Sequence, residues 1–393
     1  MGKTMYERKR KEEKPVIAIC YDFDKTLSPD DMQAQGYIQS VGFDVKSFWE
    51  ESNKRAQEND MDQNLAYMYK MVEEAEGKLV FTKEALNSYG AKVNFFPGVV
   101  DWFERIRKYG EEKGVIIEHY IISSGLKEMI EGTEMAKKGA FEKIYASAFY
   151  FNERGIAVWP AQAINYTNKT QFLFRISKGV LDINDQSVND YFSEDEIRIP
   201  FRNMVYIGDS DTDIPCMKLV NSYGGYSIGV YNPETRDKKK VYKMINDKRI
   251  SLYAAADYRP NSEIDILVKN IICKTAANEK IVRASEQYRK EAKQSYTEKL
   301  GPEEEKKQNL IIKLIDSKSF MNTHATIKEL NVYTKWKEDE KEELFMAAME
   351  NQQIKWILQD ADITLFYSKL IKSLTKKSKN AEAVEKELEK DKK

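Results

Sequence analysis

Two aspartates separated by one residue, Asp22 and Asp24, end the apolar run of residues 16–21 in the stretch VIAICYDFDKT. A carboxylate at a strand end, within reach of a phosphate ester, can attack phosphorus in line and carry the phosphoryl group as an aspartyl-phosphate. Two anions must then meet, so a cation is needed. Mg²⁺ suits the task because it takes a few carboxylates plus water and phosphate oxygens. Residues two apart face the same side of an extended segment, so Asp24 can protonate the leaving oxygen and afterwards activate water.

Other chemistry-bearing residues recur at similar places along the chain. The stretch MVYIGDSDTDIP closes another apolar run with Asp209, Asp211 and Asp213 behind Gly208. One of these carboxylates can complete a Mg²⁺ shell and another can sit behind it. HYIISSG offers the Ser123 hydroxyl, with the backbone N–H groups of Ser124 and Gly125 near a helix start. YTNKTQFLFRISKG supplies a cation to balance the charge, Lys169 at a helix beginning or Lys178 further along.

The elements that must position these groups follow from hydrophobic pattern. Strand-length apolar runs lie at 16–21, 119–123, 204–208, 226–230 and 252–256, with helical patterns such as 99–114 between them. That alternation predicts an α/β fold, a doubly wound parallel sheet with helices on both faces, whose active residues gather beyond the carboxyl ends of the strands. Residues 28–95 interrupt the rhythm. Their spaced apolar positions, Phe48, Trp49, Leu65, Met68 and Val72, predict an inserted helical cap rooted beside the paired aspartates, where it can act as a lid. Beyond residue 275 the chain turns Lys/Glu-rich with helical spacing, breaks at Gly301-Pro302, and carries an apolar stripe from Ile363 to Leu374 with Asp360 as a candidate N-cap. The organisation read from the sequence is a solvated charged leader (1–14), a catalytic domain (15–275) and a helical C-terminal module with a charged, frayed tail (276–393).

Composition excludes several classes. Of 393 residues, 32% are charged, and no apolar run approaches the roughly 20 residues of a membrane helix. The charged N-terminus lacks the apolar core of a secretory signal. Cys20, Cys216 and Cys273 are widely spaced in apolar contexts, which predicts reduced thiols and a cytoplasmic setting. His119 and His324 are too few for a histidine-rich metal centre, and His119 reads as structural. A net charge of −1 gives no global attraction to nucleic acid, and the basic run at 236–249 reads as a solvated helix. The expected partner is a small-molecule phosphate ester, with self-association or a protein partner available to residues 276–393.

Taken in order, DFDKT (Asp22 to Thr26), IIS ending at Ser123, Lys169 and GDSDTD (Gly208 to Asp213) resemble the four motifs of the haloacid dehalogenase superfamily of phosphohydrolases, over residues 15–275. The resemblance implies Asp22 as nucleophile and Mg²⁺ ligand, and Asp24 as acid/base that also ligates through its carbonyl. Ser123 and Lys169 become phosphate binders, Asp209 a metal ligand and Asp213 its support. A second aspartate at position 24 separates phosphatases from dehalogenating and ion-transporting relatives. A helical cap after the first motif resembles the phosphoserine phosphatase branch, in which a glutamate seven residues past the second aspartate reads the substrate; Asp31 stands there in this chain. DKTL in place of DSTL, and GDSDTD as the fourth motif, leave the substrate open. The rival readings are a scaffolding protein that works through its C-terminal helices and a phosphatase of nucleic-acid ends.

Overall fold

The computed structural model describes residues 6–193, 196–297, 302–317 and 319–389. They form two compact units, one ending at Val282 and one beginning at Arg283.

The first unit is built on a seven-stranded sheet: β1 (Val16–Tyr21), β2 (Ile116–Leu126), β3 (Lys143–Phe151), β4 (Ala157–Gln162), β5 (Met204–Gly208), β6 (Tyr226–Tyr231) and β7 (Leu252–Ala255), in the order β4-β3-β2-β1-β5-β6-β7. All neighbours pair in parallel except β3 and β4. Successive side chains of a strand point to opposite faces. Ile17, Ile19 and Tyr21 therefore enter one apolar cluster, and Val16, Ala18 and Cys20 the other. A sheet buried on both faces needs such continuous apolar strands. The order reverses at β1, which lies between β2 and β5, so their carboxyl ends share one crevice.

β3 and β4 are absent from the strands read in sequence. They form an antiparallel ladder at the sheet edge, where Tyr150 and Trp159 pair and stay exposed. A partly exposed edge ladder gives a weaker signal than the fully buried apolar runs of the central strands.

The insertion contains the helices Val45–Glu58, Gln63–Ala75 and Lys83–Gly90. It packs its apolar residues into the core of the sheet. Tyr37, Phe48, Tyr67, Met68 and Leu86 belong to the same apolar cluster as Ile17 and Ile121. Ala157 donates to the Phe81 carbonyl (2.8 Å), fastening the insertion to β4. A Cβ at Gly90 would lie 1.8 Å from the Met129 carbonyl oxygen, so the helix Lys83–Gly90 touches the helix Lys127–Glu131 backbone to backbone. Swinging the insertion away would expose this shared core to water.

The leader is not simply solvated. Lys9 N–H donates to Gly179 (2.9 Å), Arg8 Nε to the Lys178 carbonyl (2.8 Å), and Glu12 pairs with buried Arg198 (2.6 Å). Arg198 also forks onto Glu118.

The second unit is a helical bundle. Pro302 opens the helix Pro302–Ile315, with Gly301 outside the described residues. Phe320–Leu330, Glu338–Glu350 and Ala361–Lys372 follow, closing over Leu314, Leu330, Phe345 and Tyr367. The tail corrects the expectation of fraying, because Lys379–Glu389 is a helix that buries Ala381, Val384 and Leu388. Asp360 caps with its backbone only. Its carboxylate and that of Asp362 take the two ring nitrogens of His324 (3.0 and 2.8 Å). Among the described residues no helix is long and apolar enough to cross a membrane.

The first unit also runs past the boundary at 275, since Ala276 is buried in its core and Glu279 pairs with Arg202 (3.1 Å). A chain ending at Val282 is expected to unfold cooperatively at a temperature above that of one ending at residue 275, which melting curves of the two fragments would check.

His119 is buried between Tyr21 and Phe103. Trp102 donates to the Tyr21 hydroxyl (2.8 Å), so the Tyr21 proton faces His119 Nδ1 (3.0 Å) and Nε2 serves the Phe103 carbonyl (3.1 Å). Burial, with the Arg107 charge, pulls its pKa down to about 3. The folded state therefore keeps the ring neutral while the unfolded chain binds a proton below about pH 6.5, so stability is lost as pH falls. Between pH 7 and pH 5 this one group should remove about 2 kcal/mol. Denaturant titrations of native protein and His119→Gln at both pH values should show the variant's stability falling less.

Candidate active site

Three strand ends converge at the crevice. Asp22 follows β1 and its N–H donates to the Ile207 carbonyl of β5 (3.0 Å), fixing where the carboxylate leaves the sheet. Its Oδ1 lies 3.2 Å from Lys169 Nζ, which also reaches Asp213 Oδ1 at 2.8 Å. All three side chains are buried. Lys169 precedes the helix Thr170–Lys178, so the start of that helix delivers it under the sheet end. Lys178 is elsewhere, bonding the carbonyls of Val188 (2.7 Å) and Asp190 (2.8 Å).

Asp213 is saturated. Oδ1 also accepts from the Tyr206 hydroxyl (2.9 Å), and Oδ2 accepts from the hydroxyl (3.0 Å) and N–H (3.2 Å) of Ser210. It organises its neighbours more than it offers oxygens of its own. Asp209 pairs with Lys240 at 3.4 Å and feels the more distant charge of Lys25. One oxygen from each of Asp22, Asp209 and Asp213 falls within 4.8 Å of the others.

The electrostatics demand positive charge. Burial, then the Asp213 charge, pushes Asp22 up to about 7, and burial pushes Asp209 up to about 6. Burial opposes the charge of Lys169, yet Asp213 and Asp22 outweigh it and raise its pKa. One buried ammonium thus serves a cluster of clustered carboxylates. Hard oxygen donors that repel one another fit a small divalent cation such as Mg²⁺.

Asp24 faces the crevice from the turn after β1. Its Oδ1 accepts from Met32 N–H (2.9 Å), and a Cβ at Gly125 would lie 2.9 Å from its Oδ2 and 2.3 Å from the Met32 methyl. Only glycine permits the end of β2 to come this close. Burial, then the charges of Asp31 and Asp22, raises the Asp24 pKa well above the usual carboxylate range. Ser123 is buried, and its Oγ accepts from Gly125 N–H (3.0 Å). Asp22, Asp24, Ser123, Ser124, Gly125 and Asp209 all border one cavity of about 530 Å³.

A profile of the haloacid dehalogenase-like hydrolases matches residues 19–218, spanning β1 to the helix that follows β5. This chain belongs to that family. A relative from Borreliella burgdorferi, described as an uncharacterized protein, is 28% identical over 288 residues, 67% of this chain and 98% of that one. Among solved structures, a probable phosphoserine phosphatase from Vibrio cholerae is similar at TM-score 0.44 and 12% identity, over 68% of this chain and 67% of that one. Cytosolic 5′-nucleotidase IIIB bound to cytidine is similar at TM-score 0.40 and 14% identity, over 67% and 87%.

Within this haloacid dehalogenase-like chain, Asp31 borders the cavity, but both its oxygens are held by Lys25 Nζ (2.9 and 3.0 Å). Lys25 reaches it from a left-handed backbone, φ 59°, unusual for a lysine. Neither Lys25 nor Lys240 stood out in the sequence, because a lysine carries no signal of its partner. Tyr67 and Ser147, which bond the Ser124 carbonyl at 2.8 and 3.1 Å, were also missed. They lie in a helix and a strand whose contacts with β2 the sequence does not announce.

Removing the shared ammonium leaves Asp22 and Asp213 buried together without the positive charge between them, although Tyr206 and Ser210 still donate to Asp213. Lys169→Met should lose about 3 kcal/mol or more of stability and all turnover. Chemical denaturation checks the first, and a melting temperature equal to that of native protein would remove Lys169 from its central place.

Proposed function

We propose that this chain is a Mg²⁺-dependent phosphomonoester hydrolase that acts through an aspartyl-phosphate on Asp22, on a small phosphorylated metabolite, in the cytoplasm. The observation that carries the reading is Asp22 buried at the switch point, held by Lys169, with Asp24 on the same cavity. Asp22 and Asp209 would supply the metal's oxygens, with Asp213 behind them and Asp24 contributing its carbonyl. The bound ion would offset the repulsion between carboxylate and phosphate.

An Asp22 oxygen attacks phosphorus as the bond to the leaving oxygen breaks, and that bond's electron pair stays with the oxygen. Asp24 gives it a proton. Water then attacks the same phosphorus, passing a proton back to Asp24, and Asp22 and orthophosphate separate. Lys169 holds Asp22 in one orientation throughout, while the Ser123 hydroxyl faces the phosphate oxygens; the Gly125 N–H, expected to join it, instead donates to Ser123 Oγ. A cavity of about 530 Å³ has the size of small-molecule sites. The cytoplasmic setting is read from the wide spacing of Cys20, Cys216 and Cys273 in apolar stretches of the sequence.

Nitrophenyl phosphate with and without Mg²⁺ tests the core of this reading. Hydrolysis should need the metal, and Asp22→Asn should abolish it, because the amide loses both nucleophile and charge. Turnover by Asp22→Asn at the native rate would refute the mechanism. Asp24→Asn should lose about 10²- to 10⁴-fold on an alkyl phosphate and less on nitrophenyl phosphate, whose leaving group needs no proton. Equal losses on the two substrates would deny Asp24 its acid role.

A further inference from the structure

The Ser124–Gly125 peptide is gripped from two sides. Its carbonyl accepts from the Tyr67 hydroxyl (2.8 Å), which comes from the inserted helix Gln63–Ala75, and from Ser147 Oγ (3.1 Å), which comes from β3. Ile164 N–H donates to Ser147 Oγ (3.0 Å), which leaves that serine its own proton to give to the Ser124 carbonyl. The N–H of the same peptide, on Gly125, donates to Ser123 Oγ (3.0 Å). Ser123 is only 1% exposed and borders the cavity, and among the described residues nothing accepts its proton. A serine oxygen that accepts one hydrogen bond keeps its own O–H to give.

Hydrogen bonds in series polarise one another in a buried site. Two hydroxyls donating to an amide carbonyl make its N–H a stronger donor, which in turn makes the Ser123 hydroxyl more acidic and fixes its direction. Tyr67 itself is held by Trp49 edge-on, with ring centroids 5.6 Å apart, and is 4% exposed. Burial raises its phenol pKa, so it remains a donor. Two further bonds seat its helix on the far side of the cavity: Asn64 Nδ2 to the Ile164 carbonyl (2.5 Å) and Asn165 Nδ2 to Asp62 (2.6 Å).

We propose that Tyr67 is a positioning residue for phosphate binding, acting through a relay from its hydroxyl to the Ser124 carbonyl, across that peptide to Ser123, and from the Ser123 hydroxyl to a phosphate oxygen. The proposal rests on the reading of this cavity as a phosphate site. It makes the insertion part of the phosphate-binding apparatus, although no side chain of the insertion in this relay touches the anion.

Calorimetric titration of the full chain with orthophosphate in the presence of Mg²⁺ tests it, using native protein, Tyr67→Phe, Ser123→Ala and the double variant. Tyr67→Phe should weaken orthophosphate binding about three- to tenfold, the worth of one neutral hydrogen bond, and raise KM more than it lowers kcat. In the Ser123→Ala background it should have no further effect, because the end of the relay is gone. Additive losses, or a Tyr67→Phe protein that binds phosphate as the native does, would overturn the relay. Ser147→Ala removes the other donor and gives the same cycle if Tyr67→Phe does not fold. A native protein that neither binds orthophosphate nor hydrolyses esters would overturn the phosphatase reading itself, whereas binding with additive cycles overturns the relay alone.

Discussion

Two carboxylates and one ammonium share a buried corner at the end of β1, and the rest of the catalytic unit is arranged around that fact. Asp22 and Asp213 would repel each other strongly enough in a dry site to force one to take up a proton. Lys169 holds both. It reaches them because the helix Thr170–Lys178 begins there, and it is oriented because Asp213 is itself fixed by Tyr206 and Ser210. The cost of desolvating these charges is met by mutual pairing and added hydrogen bonds, the one circumstance in which a buried ion cluster is tolerable. The pairing is looser on the side of Asp209, whose cations are the outer lysines Lys240, at 3.4 Å, and the more distant Lys25. That residual negative charge faces the cavity, where a divalent ion can answer it.

Parallel strands put this corner where it is. β1 is flanked by β2 and β5, so Asp22 and Asp209, just past β1 and β5, and Ser123, in the last part of β2, meet at the same end of three adjacent strands without any long loop to place them. Rigid elements hold catalytic geometry more closely than loops do. The insertion adds a further rigid side, since its apolar residues belong to the core of the sheet and its tyrosine reaches the backbone of β2.

How much of this the sequence displayed depends on the kind of signal involved. The central strands were legible because a strand buried on both faces is continuously apolar, and Asp22, Ser123 and Asp209 because each closes such a run. Lys169 and Lys178 were both open, as a lysine's reach depends on where its helix starts and not on its neighbours in sequence. β3 and β4 were missed because polar residues, Lys143 and Ser147, interrupt the apolar run of β3, β4 buries little beyond Ala157, and both carry exposed aromatics, Tyr150 and Trp159. The final helix, Lys379–Glu389, was taken for a frayed tail because charge dominates its composition, whereas its small apolar stripe, Ala381, Val384 and Leu388, decides its fate. Asp360 does stand at the N-cap, but its carboxylate leaves the helix to pair with Asp362 around His324, a tertiary contact that no local rule encodes.

The Lys25–Asp31 pair bears on what the cavity can select. An aspartate with both oxygens free would draw a cationic group of a substrate toward the turn after β1. Here the chain supplies that cation itself, from a backbone conformation that a lysine adopts at some cost. The pair is partly exposed, so its own contribution to stability is small, and stability does not explain the strain. Its consequence is electrostatic: the mouth of the cavity beside Asp24 presents a neutralised pair in place of a net negative charge. Asp62, on the same cavity, is engaged as well, accepting from the N–H groups of Asn64 (2.9 Å) and Leu65 (3.0 Å) and from Asn165 Nδ2 (2.6 Å), so the carboxylates that the turn and the insertion bring to the cavity are both already bonded within the chain.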